Sequence, residues 1–373
     1  MFACIQFFTV SEFYVKAKLW LQINTQRTIT ETAKELSIMK KTIYVAYTGG
    51  TIGMRPSAQG YVPAAGFLSS TLAKMPEFHR AEMPSFTIHE YDELIDSSDM
   101  DPTDWQQIAD DIAQNYEQYD GFIILHGTDT MAYTASALSF MLEDLGKPVI
   151  VTGSQIPLAE LRSDGQVNLL NALYIAANFP IPEVTLFFNN QLFRGNRSRK
   201  VDANGFNAFD SPNFPALLKA GISIDVDKRL IGLKPDSKLR VSPIRSQPIG
   251  VVTLYPGISA EVLRNTLQQP VKALILLSFG VGNAPKNKPL LDQLKNADAQ
   301  EIIVLNCTQC MRGKVDMAGY ANGHALREIG VVSGTDMTPE AALAKLHYLL
   351  SKDLPLNEVK RLLTENMRGE LTL

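Results

Sequence analysis

The order of the apolar segments constrains the fold of this chain more than any other feature. Short β-rich runs such as "IYVAYT" (43–48) alternate with segments whose apolar residues recur at helical spacing. A continuous apolar run is typical of a parallel strand buried on both faces, and a helix is the usual connection between two parallel strands. The alternation therefore predicts two α/β domains, the larger one an N-terminal open, mostly parallel sheet with helices on both faces.

The segment "DPTDWQQIADDIAQNY" (101–116) shows how the helices are recognised. Asp101 suits the N-cap, and Pro102 suits the first helical position, where its missing N–H costs nothing. One face is then apolar at helical spacing and consists of Trp105, Ile108, Ile112 and Tyr116. In sheets of this kind ligands bind at the carboxyl ends of the strands, so the loops after the strands are the candidate site.

A change in composition divides the chain. Residues 226–247 are charged, interrupted by prolines and poor in large apolar residues, which indicates a linker. The predicted N-terminal catalytic domain therefore spans residues 39–225, and a smaller C-terminal α/β domain spans 248–373. Residues 1–38 are predicted to be an extension, native or not, with Met39 as the expected natural start. The extension is too short and too charged for a membrane span and lacks a signal-peptide pattern.

Charge and cysteine content exclude several classes of protein. The net charge is −4, so nothing in the composition favours nucleic-acid binding. Cys4, Cys307 and Cys310 are too few for a disulfide framework, and "CTQC" lacks the second pair that a zinc site needs. We expect a reduced, cytoplasmic protein without a metal or an organic cofactor.

The loops after the predicted strands gather hydroxyls, carboxylates and one amine. The collected side chains are Thr51, Ser97, Ser98, Thr128, Asp129, Ser154 and Lys200. A hydroxyl is a poor nucleophile until a base takes its proton, and a desolvated lysine held by an aspartate can be that base. A Thr128–Lys200–Asp129 relay would suit acyl transfer, and Gly49 and Gly50 would let the backbone approach a substrate closely.

Each of these residues also has a simpler interpretation. Asp129 alone is expected to cap a helix starting at Thr130, and Lys200 alone to be one charge in a solvated run. His126 is expected to be a structural partner rather than a base. "TGGT" lacks the nucleotide fingerprints G-x-G-x-x-G and G-K-[ST]. What favours the site is that the loops should meet at one edge of the sheet.

Two motifs, "YTGGTIGM" and "HGTDTMAYTASALSF", resemble the signature regions of bacterial-type L-asparaginases. "DSSDM" and "GSQIPLAELRSDGQVNLLNAL" look most like the cytoplasmic type I enzymes, and the resemblance covers residues 39–373. It implies hydrolysis of the side-chain amide of L-asparagine to L-aspartate and ammonia.

The resemblance also implies roles for individual residues. Thr51 attacks the amide, and Tyr61 on the same loop helps to move its proton. Thr128, Asp129 and Lys200 activate the water that hydrolyses the acyl-enzyme, and the backbone at Thr51 and Thr128 forms the oxyanion hole. The implied substrate-binding residues are Ser97, Ser98, Asp129, Ser154 and Asn283.

Assembly and regulation are implied in the same way. Family members form homodimers that pair into homotetramers, and the neighbouring subunit's second domain completes each site, here through Asn283. Some type I relatives bind asparagine at a second, regulatory site. This chain has Arg199 and Leu277 where threonine and arginine are expected there, with Cys310 in the same region, so we predict weak or no cooperativity.

Three other functions share these motifs. A glutaminase-asparaginase would use the same chemistry in a larger pocket. An amidotransferase subunit acting on tRNA would carry an N-terminal domain and more positive charge. A non-catalytic amino-acid sensor would not need all of Thr51, Thr128, Asp129 and Lys200.

Overall fold

Strands and helices alternate in the structure as the sequence predicts. The computed structural model describes residues 40–58, 60–317 and 321–372, so the predicted extension 1–38 lies outside the described residues. In chain order the strands are β1 (Thr42–Gly49), β2 (Met54–Ser57), β3 (Gly60–Pro63), β4 (Ser85–Ile95), β5 (Gly121–Leu125), β6 (Leu142–Glu143), β7 (Val149–Thr152), β8 (Val184–Phe188), β9 (Gln191–Arg194), β10 (Arg199–Lys200), β11 (Phe209–Asp210), β12 (Leu218–Ala220), β13 (Ile224–Val226), β14 (Arg240–Val241), β15 (Ile249–Thr253), β16 (Ala273–Ser278), β17 (Ile303–Thr308) and β18 (Val332–Ser333).

The helices connect these strands. They are α1 (Phe67–Leu72), α2 (Pro102–Asn115), α3 (Met131–Met141), α4 (Gly165–Asn178), α5 (Ala260–Thr266), α6 (Lys288–Ala299), α7 (Ala321–Glu328), α8 (Pro339–Leu350) and α9 (Leu356–Leu363). Helix α2 begins as predicted: the Asp101 carboxylate accepts from the Thr103 N–H, and Asp104 reaches back to the Asp101 N–H in a capping box. None of the described helices combines the length and apolar character that crossing a bilayer takes.

The N-terminal sheet has eight strands in the order β13-β12-β9-β8-β7-β5-β1-β4. Strands β4, β1, β5, β7 and β8 are parallel, and β9, β12 and β13 extend the sheet in antiparallel pairs. The C-terminal sheet is β15-β16-β17-β18 and wholly parallel. This is the predicted pair of α/β domains, with β1 between β4 and β5. The loops that follow these three strands therefore lie side by side.

The two sheets share one apolar core across their boundary. Leu138 and Phe140 of α3 belong to the same buried cluster as Ala344 and Tyr348 of α8. The rings of Phe140 and Tyr348 are 5.7 Å apart, in aromatic contact. Residues 42–373 accordingly form one compact unit.

The segment predicted to be a linker is held against the N-terminal domain. Strand β14 pairs with β6, and the backbone N–H of Ile244 donates to Gln106 at 3.1 Å. The Arg245 guanidinium reaches the carbonyl of Ser351 at 2.9 Å. This segment therefore contacts both domains along its length.

Candidate active site

Glycines bring the loops after β1, β4 and β5 into direct contact. Gly50 has a φ of 90°, and a Cβ there would lie 2.4 Å from the backbone nitrogen of Gly127. A Cβ on Gly127 would lie 2.3 Å from the hydroxyl of Ser97. At Gly50 both the positive φ and the close backbone require the absence of a side chain, whereas at Gly127 the short distance to Ser97 alone does. The convergence expected from strand order is thus built from backbone contacts.

Thr51 begins a 3₁₀ turn, Thr51–Gly53, directly after β1. Its side chain is half-buried, and among the described residues its hydroxyl has no hydrogen-bond partner. The carbonyl of Ile52 accepts from the N–H of Leu158 at 3.0 Å, which ties the turn to the loop after β7. The turn therefore presents a free hydroxyl at the carboxyl edge of the sheet.

Lys200 joins two residues of the loop after β5. Its Nζ donates to Thr128 Oγ1 at 2.9 Å and to Asp129 Oδ1 at 2.7 Å. Thr128 is buried, the Lys200 side chain is 21% exposed and that of Asp129 is 64% exposed. The expected contact of Thr128, Asp129 and Lys200 is present. Asp129 forms no cap: α3 begins at Met131 without a side-chain cap bond, so the simpler interpretation of Asp129 is wrong.

Gln155 is a polar contact of this cluster that the sequence reasoning missed. Thr128 Oγ1 donates to Gln155 Oε1 at 3.0 Å, while Gln155 Nε2 donates to the carbonyls of Ala203 and Gly205 at 3.3 and 3.2 Å. Those two carbonyls fix which end of the amide faces Thr128. The only signal in the sequence was its place next to Ser154 in the loop after β7.

A buried hydrogen-bond chain orients the peptide between Gly127 and Thr128. His126 Nδ1 donates to the Gly127 carbonyl at 2.7 Å, and its Nε2 accepts from Thr134 Oγ1 at 2.8 Å. Burial lowers the pKa of His126 to about 4, so the ring is neutral at neutral pH. Carbonyl and N–H point in opposite directions across a trans peptide. The N–H of Thr128 therefore points away from His126, and among the described residues it has no partner.

The three candidate serines lie at strand ends with different partners. Ser97 is buried, and its carbonyl accepts from the Thr130 hydroxyl at 2.6 Å. Ser98 donates to Asp96 Oδ1 from its N–H at 3.0 Å and from its hydroxyl at 2.9 Å. The Ser154 hydroxyl is buried and has no partner among the described residues. An unpaired buried hydroxyl is uncommon in a folded protein, and this one precedes Gln155, the partner of Thr128, in the chain.

Tyr61 and Asn283 do not bond to the cluster. Tyr61 lies on the hairpin β2–β3, is 49% exposed, and hydrogen-bonds Glu160. No hydrogen bond between described residues joins it to Thr51. Asn283 closes a turn after β16, where it exchanges two backbone bonds of 3.0 and 2.8 Å with Phe279. Their proposed roles stay predictions.

The three residues assigned to a regulatory site, Arg199, Leu277 and Cys310, each have a different contact partner. Arg199 pairs with Glu340 at 3.1 Å, and burial raises the pKa of Glu340 although Arg199 opposes the shift. Leu277 pairs across the sheet with Cys307, whereas the exposed Cys310 donates its N–H to Thr308 Oγ1 at 3.0 Å. Burial raises the pKa of the Cys307 thiol to about 12, so this cysteine is unreactive.

The described residues contain no group of three or more histidine, cysteine, aspartate or glutamate side chains that could hold a metal ion. The site consists of hydroxyls, one amine, one carboxylate and backbone N–H groups. This is a set suited to acyl transfer rather than to metal coordination.

The comparisons with known proteins match both domains. The model of the N-terminal asparaginase region covers residues 42–231, and that of the glutaminase/asparaginase C-terminal domain covers 248–363. The chain belongs to the asparaginase family. The expected resemblance is thereby confirmed for most of the chain.

Individual relatives are close. L-asparaginase 1 of Escherichia coli is 66% identical over 339 residues, which are 90% of this chain and 99% of that protein. The crystal structure of L-asparaginase I from Vibrio cholerae is also 66% identical and covers 90% of this chain and 100% of its own, with a TM-score of 0.85. The thermostable L-asparaginase from Thermococcus kodakarensis is 32% identical, with a TM-score of 0.80 over 89% of this chain and 99% of its own.

Proposed function

We propose that this chain is an L-asparagine amidohydrolase that works through a threonine nucleophile and an acyl-enzyme. The observation that carries the proposal is the pair of hydrogen bonds from Lys200 Nζ to Thr128 and Asp129, directly beside the loop that presents Thr51. An amine held between a buried hydroxyl and a carboxylate is positioned to take and return a proton. Membership of the asparaginase family, with relatives named L-asparaginase at 66% identity, supports the same activity.

In the proposed reaction the Thr51 hydroxyl attacks the side-chain carbonyl carbon of L-asparagine. The C–N bond breaks and ammonia leaves, which produces an aspartyl ester on Thr51. A water activated by the Thr128–Lys200–Asp129 cluster then hydrolyses the ester to L-aspartate and restores the hydroxyl. The unpaired N–H of Thr128 is suited to stabilise the oxyanion in both steps.

The remaining assignments extend this proposal. Ser97, Ser98, Asp129 and Ser154 would hold the α-carboxylate and α-ammonium groups of the substrate, and Tyr61 would close over Thr51 with its hairpin. Asn283 would act on the site of a neighbouring subunit in a homodimer that pairs into a homotetramer. A cytoplasmic location and weak or absent cooperativity remain predictions from the sequence.

The first experiment is ammonia release from L-asparagine and from L-glutamine by the purified protein and by Thr51→Ala. We expect a strong preference for asparagine and a loss of at least about 10³-fold in kcat for Thr51→Ala, since removing a catalytic nucleophile can cost about 10⁶-fold and leaves only the contribution of the oxyanion hole and binding. Thr87→Ala is the matched control, because Thr87 is exposed on β4, and it should keep its rate.

Each other outcome would count against a stated part of the proposal. Comparable rates on the two amides would indicate a glutaminase-asparaginase. Binding of asparagine without ammonia release would indicate a sensor and would overturn the enzymatic proposal. A trapped ester on Thr128, with Thr51 unmodified, would reverse the roles of the two threonines.

A further inference from the structure

The segment that carries Lys200 is held by an unusual number of buried polar contacts. Residues 194–200 leave the sheet after β9, make the 3₁₀ turn Gly195–Arg197 and end at Lys200. Asn196, Arg197 and Ser198 are all buried, although asparagine, arginine and serine rarely are. Most buried polar groups are paired, and although Asn196 Oδ1 has no partner among the described residues, the other bonds of these side chains define what holds this segment in place.

The partners of Arg197 lie mainly in the last residues of the chain. Its Nε donates to the carbonyl of Gly369 at 2.6 Å, and its Nη2 donates to Thr372 Oγ1 at 3.0 Å. Its Nη1 donates to Asp336 Oδ2 at 2.9 Å, and the other oxygen of Asp336 accepts from the Thr372 N–H at 2.8 Å. Asn196 adds a bond to the carbonyl of Arg368 at 3.0 Å. We call residues 366–372 the C-terminal strap.

The strap is itself fixed from the other side. Glu370 is fully buried, and its carboxylate accepts from the N–H groups of Met367 at 3.0 Å and Arg368 at 2.7 Å. It also pairs with Lys345 of α8 at 2.6 Å, and that side chain is fully buried too. The strap therefore cannot shift without separating buried charges, which is expensive in a low-dielectric interior.

The distance along the chain from Arg197 to Lys200 is short. Ser198 Oγ donates to the Gly195 carbonyl at 2.7 Å, and Arg199 pairs with Glu340 at 3.1 Å. Lys200 lies opposite Phe209 in the ribbon β10–β11. Every residue between the strap contacts and Lys200 is thus held by a contact. Only the side chain of Lys200 remains free to change its conformation.

We propose that the C-terminal strap, acting through Arg197, positions Lys200 against Thr128 and Asp129. Arg197 is a positioning residue and touches neither substrate nor reacting atoms. The inference rests on the proposed function, because it concerns the lysine that serves the hydrolysis step. It assigns a catalytic contribution to the end of the chain, more than 170 residues away from Arg197 in sequence.

The reason to expect an effect on rate is geometric. Proton transfer needs the lysine within hydrogen-bond reach of its partners, and a displacement of about 1 Å costs as much as 10²-fold. Substrate binding is assigned to Asp129 and to Ser97, Ser98 and Ser154, and within the described residues these three serines make no hydrogen bond to the strap or to Lys200. A loosened strap should therefore slow hydrolysis of the acyl-enzyme, which lowers kcat without raising KM for asparagine.

The test measures kcat and KM for L-asparagine, with unfolding temperature, in two strap variants. Glu370→Gln keeps the size of the side chain but places an amide N–H₂ among donors. Thr372→Val removes one hydrogen-bond acceptor of Arg197 at an exposed position. This variant should therefore fold normally even if Glu370→Gln is poorly stable. Thr364→Val is the control, because its hydroxyl bonds only to the Arg361 carbonyl of its own helix end.

We expect kcat to fall about tenfold in Glu370→Gln and about threefold in Thr372→Val, with KM equal to or below that of wild type, and no change in Thr364→Val. Unchanged kcat in both strap variants, with a lower unfolding temperature, would show that the strap is merely structural. A rise in KM as large as the fall in kcat would indicate lost substrate binding and would also overturn the proposal. Wild type that releases no ammonia would instead mean that the proposed function fails, which separates the two failures.

Discussion

Two lysine–carboxylate pairs have nearly equal contact distances but very different surroundings. Lys200 and Asp129 are 2.7 Å apart with side chains 21% and 64% exposed, whereas Lys345 and Glu370 are 2.6 Å apart with both side chains fully buried. Lys345 also donates to the carbonyls of Leu363 at 3.2 Å and Glu365 at 2.6 Å, so all three of its protons are used. The comparison shows that contact distance does not distinguish the pair proposed to be catalytic from the structural one, whereas exposure to water does.

The electrostatics of the two sites follow from this difference. Burial lowers the pKa of Lys345, and Glu370, with a smaller contribution from Glu365, opposes that shift. The pair at the active site is partly solvated, and its contribution to stability is therefore small. Replacing Lys200 should therefore lower activity with little effect on stability, and replacing Lys345 should lower stability.

The largest effect is expected on activity in Lys200→Met. We predict a fall in kcat of about 10³-fold, or about 4 kcal/mol in the activation barrier, because the hydrolysis step loses its proton acceptor. The unfolding temperature should change by less than about 2 °C, since a partly exposed ion pair is worth about 1 kcal/mol or less. The measurements are steady-state ammonia release and thermal unfolding.

Lys219→Met is the matched control, because Lys219 is exposed on β12 and has no ion-pair partner within the described residues. It should retain wild-type kcat. A Lys200→Met protein with normal kcat would show that the Lys200–Asp129 pair takes no part in catalysis.

The next effect is on stability in Lys345→Met. Removing the lysine leaves a buried carboxylate without a counter-charge, so we predict a loss of about 3–5 kcal/mol in the free energy of unfolding, measured by urea denaturation. Adding Glu370→Gln to Lys345→Met should recover more than half of it, because the charge disappears with its partner. If the double variant were no more stable than the single one, burial of charge would not be what distinguishes the two pairs.

A third lysine–carboxylate pair, Glu143–Lys352 at 3.0 Å, is intermediate in burial, with side chains 10% and 30% exposed. We expect it to have a smaller effect on stability than Lys345–Glu370. Burial alone would raise the pKa of Glu143, but hydrogen bonds from Ser242, Tyr348 and Lys352 lower it from 4.5 to about 2. A carboxyl whose pKa is depressed in the folded state stabilises the fold above its unfolded pKa, and that stability is lost as the pH falls from 4.5 towards 2. The full contribution is about 3 kcal/mol, of which about 2 kcal/mol should be gone at pH 3.

The measurement is the free energy of unfolding of wild type and Glu143→Gln at pH 6 and pH 3. The gap between the two proteins should narrow by about 2 kcal/mol at the lower pH. A gap that is the same at both pH values would contradict the assigned pKa and the role of this pair.

Much of the fold could be predicted from the sequence because the relevant signals are local. Continuous apolar runs marked β1, β5 and β7, and the capping residues of α2 marked its start at Pro102. The antiparallel strands β9, β12 and β13 and the hairpin β2–β3 were not predicted. They are short and carry little periodicity, so sheet pairing rather than local preference defines them.

The candidate site was predicted in part for a similar reason. Chemistry-bearing side chains clustered after strands, and the parallel order implied that their loops meet. Gln155 and Glu160 were missed because an amide or a carboxylate in a polar loop gives no pattern of its own. Their roles depend on partners such as Thr128 and Tyr61, far away in the chain.

The sequence by itself determined the alternation of strands and helices, the buried faces and the set of reactive groups, since burial and periodicity follow from the order of apolar residues. The sequence also suggested that Lys200 meets Thr128 and Asp129, but only the tertiary structure decided how far each lysine–carboxylate pair is buried. Lys200 is 71 residues from Asp129 along the chain, and Lys345 is 25 from Glu370. Both pairs consist of a lysine and a carboxylate. The packing around each pair leaves Lys200 and Asp129 exposed to water and buries Lys345 and Glu370 in the core.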